Sequence, residues 1–480
     1  MRRRALNRDP AAAPPSRKRA AAVPALILGI FAALVFLLAS RHEPWRDEAD
    51  SWLLVRDAGP LEILHRLAYK GTPGLWYAVL LPLAKAGFPI EAMQAVHAVL
   101  AVAAGALLLF RAPFPLVLRA LFLFGYYLSY EYAVVARSYV LDVVLLFALA
   151  SFRDPARRPF AFGAAIAVLA NANVHGFLLA GVLFVVLFDR MPLTTRATAA
   201  AGLVAALWQL WPPADGQFTP AVIGFRWRLA LDAISRAFFP LDVEPVRVAA
   251  AVLLAAFAAW FLAKRLRALL LLAGGWLVLL ALFTVVRGGS ARYDGLLWLW
   301  LIFVAWLTDR SDSPPEERTR RLFHAVLGIS AVVSCLAAAR IWSLEWRLPF
   351  SEAREMAREL DRRGLAAAPI AAHPAPLAES VLANLPARRF WYPGIGEEGS
   401  FMKWDAAYLK GLDLMVDEAA ARVRRSKPYG APPLFLACEP LEKPGREGYR
   451  LAYATAGRAF AKPDERYYLY VPVDAARRSP

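Results

Sequence analysis

The hydrophobic pattern divides the chain in two. From residue 22 to residue 340 apolar runs follow one another with short polar breaks, whereas from 341 onward apolar and polar positions mix as in a water-soluble domain. The first run, AVPALILGIFAALVFLLAS (22–40), is about as long as the roughly 20 apolar residues that cross a hydrocarbon core about 30 Å thick. Further runs lie at 73–89, 91–110, 114–131, 138–152, 160–171, 174–188, 197–211, 246–263, 268–286, 293–309 and 322–340. Each predicts an apolar helix, since a segment in lipid must satisfy its own backbone. Beyond 340 the pattern predicts an amphipathic helix over 351–364 ended by Gly364. Short β-like runs follow at 369–373, 388–392, 433–438 and 466–473, with a helical stretch at 411–425. That alternation predicts a small α/β layer.

Charge decides which runs span. The chain carries 56 Lys+Arg against 39 Asp+Glu, a formal net charge of +17. A nucleic-acid surface would gather these groups on one face. Here they sit singly or in small clusters between apolar runs, as topology determinants do. If 73–89 spans, the clusters at Arg153/Arg157/Arg158, Lys264/Arg265/Arg267 and Arg318/Arg320/Arg321 lie outside; if it does not, all lie in the cytoplasm. The second arrangement obeys the positive-inside rule. The 73–89 segment also holds Pro82, Lys85 and Gly87, and a Lys near mid-bilayer costs about 2.5–3.5 kcal/mol. It is therefore expected to be a helix that lies at the outer surface or dips into the membrane.

The sequence thus predicts an α-helical polytopic membrane protein of about eleven spans, sited in a bacterial inner (plasma) membrane. Residues 1–21 form a cytoplasmic basic tail with seven Arg/Lys in 2–19. Residues 22–340 form the transmembrane domain, with a first outer loop over 41–90, and residues 341–480 an extracytoplasmic α/β domain. On this topology the unusual polar residues gather on one side: Asp47, Glu48, Glu131, Arg137, Asn171, Asn173, His175, Arg226, Arg228, Arg287 and Arg292. Asp142, His97 and Gln94 lie near outer helix ends. The two cysteines, Cys335 and Cys438, have no metal-ligand spacing. No GxxxxGK[ST] or HExxH occurs, and no cofactor is implied.

The first outer loop opens HEPWRDEADSWLLVRD (42–57), placing Asp47 and Glu48 just past a membrane helix. Composition alone also allows a solvated acidic pair in a first helical turn. In order there follow YKGTPGLWYAVLL, YEYAVVARSYVLD (130–142), NANVHG (171–176) and RGGSARYDG (287–295). This series resembles the GT-C superfamily of membrane glycosyltransferases, in the branch of protein O-mannosyltransferases and lipid A aminoarabinose transferases, over most of 22–340. The resemblance implies Asp47 as catalytic base with Glu48 beside it. It matches Pro73-Gly74-Leu75-Trp76-Tyr77 to a Pro-Pro-Leu-Tyr-Tyr-like stretch, departing at Thr72 and Gly74. Arg137-Ser138-Tyr139 matches an Arg-x-Tyr, and Arg292-Tyr293 a late Arg-Tyr.

The function implied is transfer of a sugar from a polyprenyl-phosphate carrier to an acceptor hydroxyl of a glycan, lipid or protein, outside the membrane. Such a reaction needs a carboxylate base and cations that fork onto the leaving phosphate. Arg137, Arg287, Arg292 and Lys70 are the phosphate candidates; Tyr139, His175 and Tyr293 are the substrate-binding ones. Neighbouring carboxylates on one helix point about 100° apart, which suits one base and one supporting group, and hence inversion at the sugar carbon. Plainer readings stand beside these: Arg292-Tyr293 as an interfacial anchor, His175 as a helix-end residue, Asp142 neutralising Arg137, the tryptophans as an aromatic belt. The alternative function is a transporter or flippase of lipid-linked sugars, but neither repeats nor mid-membrane polar residues mark one.

Overall fold

The computed structural model describes residues 17–152, 155–216, 226–240, 243–286, 290–311, 314–462 and 465–473. The helices run α1 (Arg17–Arg41), α2 (Arg46–Asp57), α3 (Pro60–Lys70), α4 (Leu75–Lys85), α5 (Glu91–Arg111), α6 (Leu116–Phe124), α7 (Tyr139–Ser151) and α8 (Pro159–Ala170). They continue as α9 (Val174–Leu187), α10 (Leu193–Leu210), α11 (Trp227–Phe238), α12 (Glu244–Leu262), α13 (Leu266–Ala281), α14 (Ala291–Asp309) and α15 (Glu317–Arg347). Among the described residues α1, α5, α12, α13 and α15 are long and apolar enough to cross a membrane. Their outer faces expose Leu26, Ile30, Leu253, Trp260, Leu277 and Leu336, a surface that water does not favour.

The remaining apolar helices are shorter than their runs suggested. Helix α7 has 13 residues, about 20 Å at 1.5 Å per residue, against a core of about 30 Å. The chain leaves helical form where it lines the site described below, at Arg137–Ser138 and Asn171–Asn173. Two π-helical turns, Tyr127–Glu131 and Leu282–Val286, interrupt other runs. Helix α14 is buried from Asp294 to Trp306 on all sides, so it is a central element whose first turn presents Arg292 and Tyr293. Helices α8 and α10 pack closely, and a Cβ at Gly202 would run into the backbone of Ala167.

Helix α2 packs against α4, and α3 against α10. The expected 73–89 helix is α4, only 11 residues long. Its Lys85 Nζ donates to the carbonyls of Arg56 and Ala58, 2.9 and 2.8 Å away, at the end of α2. A cation there meets the negative end of a helix dipole. Helix α15 runs on to Arg347, past its expected end at 340, so the membrane part and the C-terminal part share one continuous helix.

The C-terminal part contains α16 (Ala353–Arg362), β1 (Ile370–His373), α17 (Ala375–Ala383), β2 (Phe390–Tyr392), β3 (Glu397–Gly399), α18 (Ala406–Leu412), α19 (Val416–Ser426), β4 (Leu434–Ala437), β5 (Tyr449–Ala454) and β6 (Tyr468–Pro472). The sheet order is β3-β2-β1-β4-β6-β5. Strand β1 is parallel to β2 and β4, and the other pairs are antiparallel. The four expected strands are present; β3 and β5 are additional, and the helix expected over 411–425 is two helices broken before Val416. Helix α17 packs on β1 and on α2, so Leu360, Ile370 and Leu382 share a core with Trp52 and Leu53. The sheet face away from α17 is covered by Ala419 and Val423 of α19.

Candidate functional site

The site grows from the first turn of α2. Trp45 is extended, and the Glu48 carboxylate accepts its N–H at 3.3 Å, half of a capping box. Asp47 on the next face collects three cations. Arg46 Nε lies 3.1 Å from Oδ1, while Arg137 and Arg292 reach Oδ2 at 2.6 and 2.8 Å. Burial alone would raise the Asp47 pKa, but Arg137, Arg46 and Arg292 outweigh it and hold the carboxyl well below the usual carboxylate range. Arg292 also lies over the Trp45 ring, 4.9 Å from its centroid.

Glu48 faces away from this cluster and is fully buried. Its Oε1 accepts from the Ala136 N–H at 2.8 Å, beside Arg137, and its Oε2 meets His42 Nε2 at 3.0 Å. His42 Nδ1 reaches Glu345 of α15 at 3.2 Å, and Tyr130 donates its hydroxyl to the same carboxylate at 2.5 Å. Burial lowers the His42 pKa, yet the two carboxylates overcome it and push it up to about 10. Glu48 thus fastens the Arg137 loop and the end of α15 to α2 without lining the cavity beside Asp47.

That cavity, of about 390 Å³, is polar and is bordered by Asp47, Asp50, Lys70, Tyr77, Arg137, Tyr139, Asn173, His175 and Tyr293, with Met402 and Trp404 from the C-terminal part. A second cavity of about 630 Å³ is lined by Trp45, Tyr126, Tyr130, Ile341, Leu344 and Phe350, with Arg236, Arg247, Arg292 and Lys462 among them. Asp47 borders the first and its partner Arg292 the second, so the Asp47–Arg292 pair stands between them.

Most of the predicted site residues meet here. Tyr139, His175 and Tyr293 form an aromatic cluster in which His175 stacks on Tyr293 at 5.0 Å and Tyr139 meets Tyr293 edge-on at 6.0 Å. Asn173 caps α9 by accepting the N–H groups of His175 and Gly176, and donates to Asp142 at 2.6 Å. Asp142 therefore pairs with Asn173, while the ion-pair partner of Arg137 is Asp47, so the plainer reading of Asp142 as the partner of Arg137 does not hold. Lys70 borders the cavity, but its Nζ holds both oxygens of Asp50 at 2.5 and 2.6 Å, so it already has a carboxylate where a phosphate was expected. Arg287 lies outside the described residues.

Sequence reasoning passed over Asp50, His42, Glu345, Met402 and Trp404, and singled out Asn173 only as an outer-side polar residue. Asp50 was within reach, because a residue three after Asp47 shares its helix face. His42 lies in the same 42–57 stretch, and Glu345, Met402 and Trp404 are brought in from distant segments. Among the described residues no group of three His, Cys, Asp or Glu side chains is placed to hold a metal ion. Comparisons with protein-family models, with curated proteins and with solved structures found no match to this chain.

Proposed function

We propose that the chain is an inverting glycosyltransferase of the GT-C type, with about eleven spans, its N-terminus in the cytoplasm and its C-terminal unit outside. It would move a sugar from a polyprenyl-phosphate carrier to an acceptor hydroxyl at the outer face of a bacterial plasma membrane. The observation that carries this reading is the Asp47 carboxylate held by Arg137 and Arg292 between a polar cavity and an amphipathic one. The amphipathic cavity offers aromatic and aliphatic walls for an isoprenoid and guanidiniums for its phosphate. The polar cavity offers room for a hydroxyl compound within reach of a base.

In this mechanism the acceptor oxygen bonds to the anomeric carbon as that carbon's bond to the phosphate oxygen breaks. The electron pair leaves with the polyprenyl phosphate, whose charge Arg292 and Arg137 stabilise, and the acceptor proton passes to Asp47. Asp47 clamped by three guanidiniums is a weak base. A phosphate that draws Arg292 and Arg137 toward itself relaxes the clamp, so donor binding prepares the base. Of the other two carboxylates on α2, Glu48 is committed to His42 and Asp50 to Lys70, which leaves Asp47 as the single base of this helix and favours inversion.

The proposed sidedness has support of its own. The predicted outer loops at 41–72, roughly 132–137, 171–175 and 287–292 each contribute to the same cluster, through Asp47, Arg137, His175 and Arg292. The purified protein in lipid nanodiscs, given a panel of radiolabelled polyprenyl-phosphate sugars and an extract of cell-envelope acceptors, should release polyprenyl phosphate and label an acceptor. Asp47→Asn should lower transfer by about 10²–10⁴, the usual worth of a general base, while retaining donor binding. Movement of intact donor across a vesicle bilayer without cleavage would overturn the reading in favour of a transporter.

A further inference from the structure

The C-terminal part sends one strap, residues 400–405, into the polar cavity. Its Met402 is held on both sides: the N–H donates to Asp50 Oδ1 at 3.3 Å and the carbonyl accepts from Lys70 Nζ at 3.3 Å. One residue past the cavity, Asp405 pairs with Arg66 at 3.1 Å, caps α18 through the Tyr408 N–H at 2.9 Å, and bridges to Gly216. Arg66 also donates to the Lys403 carbonyl at 3.4 Å. Between these fixed points Trp404 adopts a left-handed backbone with φ 58°. That conformation is disfavoured for a bulky L-residue and persists only where the surroundings impose it. The strap therefore holds one large indole at one place, supported by Tyr408 with ring centroids 5.9 Å apart.

The place is the cavity wall, opposite hydrogen-bonding groups of several kinds. Trp404 shares the cavity with Asp50, Thr72, Asn173 and His175, and with Trp76, whose buried indole N–H has no partner. A buried donor without a partner calls for an acceptor from outside. An aromatic face beside a ring of donors and acceptors suits one ligand chemistry well. A pyranose carries C–H bonds on a face and hydroxyls around its edge, so its face meets the negative face of an indole while its edge pairs with the polar wall. A lipid acceptor would need an apolar passage, which lies in the other cavity. An extended peptide would need free strand edges or a long groove, and the strap closes this cavity at about 390 Å³, in the lower part of the small-molecule range.

We infer that the polar cavity is an acceptor site for a carbohydrate, and that Trp404, carried by the C-terminal part, is the platform on which the acceptor sugar stacks. This deepens the glycosyltransferase reading and rests on it for the word acceptor, though not for the binding itself. It also gives the C-terminal part a role: it completes the cavity that the membrane part leaves open on one side.

The test uses the full chain in nanodiscs and a panel of soluble α- and β-linked hexose trisaccharides, with binding read by saturation-transfer NMR and intrinsic fluorescence. At least one trisaccharide should bind. Trp404→Ala should weaken that binding by about tenfold or more, and Trp404→Phe should restore most of it. A Phe rescue separates stacking from loss of fold, since the ring alone is returned to the same backbone. In the transfer assay Trp404→Ala should raise the acceptor KM far more than it lowers kcat. Trisaccharide binding that depends on Trp404 without sugar transfer from any donor would support the site and defeat the transferase reading. Transfer to a lipid or protein acceptor that Trp404→Ala leaves untouched would overturn the site and keep the transferase reading. Failure of every trisaccharide to bind, or equal binding by wild type and Trp404→Ala, would also overturn it.

Discussion

Successive residues on a helix point about 100° apart, and Asp47 and Glu48 show what that does to two adjacent carboxylates. Asp47 points at the cavities and three arginines; Glu48 points inward to His42 and the Ala136 N–H. Their variants should differ accordingly. Asp47→Asn takes the counter-ion from Arg137 and Arg292 and should lower the unfolding temperature somewhat, while leaving the contacts of Glu48 in place. Glu48→Gln removes one partner of a buried pair, a change that costs about 3–5 kcal/mol, and should lower the unfolding temperature measured by scanning fluorimetry. It should lower transfer as well, by loosening Arg137 rather than by removing a reacting group. The pH dependence follows from His42. Its pKa rises on folding, to about 10, so the folded chain holds that proton more tightly than the unfolded one. The stability it contributes is complete below its unfolded value of about 6.5 and lost as pH climbs through about 10. Thermal unfolding should therefore fall more steeply between pH 7 and 10 in the wild type than in His42→Gln.

Elements act on the site through where they stop. Helix α3 ends at Gly71, whose φ of 60° suits the left-handed cap; this turns the chain so that Lys70 and Thr72 border the cavity. Helix α9 starts at Asn173, whose side chain serves the cap and Asp142 at once. The α8–α10 pair lies behind Asn171, whose Nδ2 donates to the Gly202 carbonyl at 3.0 Å. Gly202 permits that approach, since any Cβ there meets the Ala167 backbone. Gly202→Leu should separate the two helices and cost about 1–3 kcal/mol or more by overpacking. It should also weaken substrate binding through the displaced Asn171–Asn173 turn. Unfolding temperature together with trisaccharide affinity, compared with Gly202→Ala, tests this; unchanged values in the leucine variant would deny the close approach a role.

At the scale of the molecule, the proposed function requires the cavities to open on one side of the membrane. Reporter fusions after Arg158, Lys264 and Arg320 should read as cytoplasmic, and fusions after Lys70 and Gly364 as external. Swapped results at Arg158 and Lys264 would mean that 73–89 spans, against the docking of Lys85 on the end of α2. The C-terminal part is tied to the membrane part by a core shared with α2 and by the Asp50–Lys70–Met402 contacts. A chain ending at Leu348 should therefore lose trisaccharide binding and unfold at a lower temperature than the full chain.

Local features of the chain were legible because they depend on near neighbours. Apolar runs located the helices, charge near their ends proposed a sidedness, and the alternation after 340 located four of the six strands. The Asp47, Arg137, Tyr139, His175, Arg292 and Tyr293 candidates came from short motifs, and the fold draws all six to one place. What the tertiary structure decided are the partnerships between segments far apart in sequence. One reading of the sequence has Asp142 neutralising Arg137, but the fold brings the guanidinium to Asp47, a carboxylate 90 residues earlier. Glu48 became an anchor because His42 and Glu345 close over it, and Lys70 acquired Asp50 as its counter-ion. Trp404 reached the cavity because a strap from the C-terminal part is pinned by Asp50, Lys70 and Arg66. Charged and polar groups taken from water must find partners, and only the packed chain determines which ones lie within 3 Å.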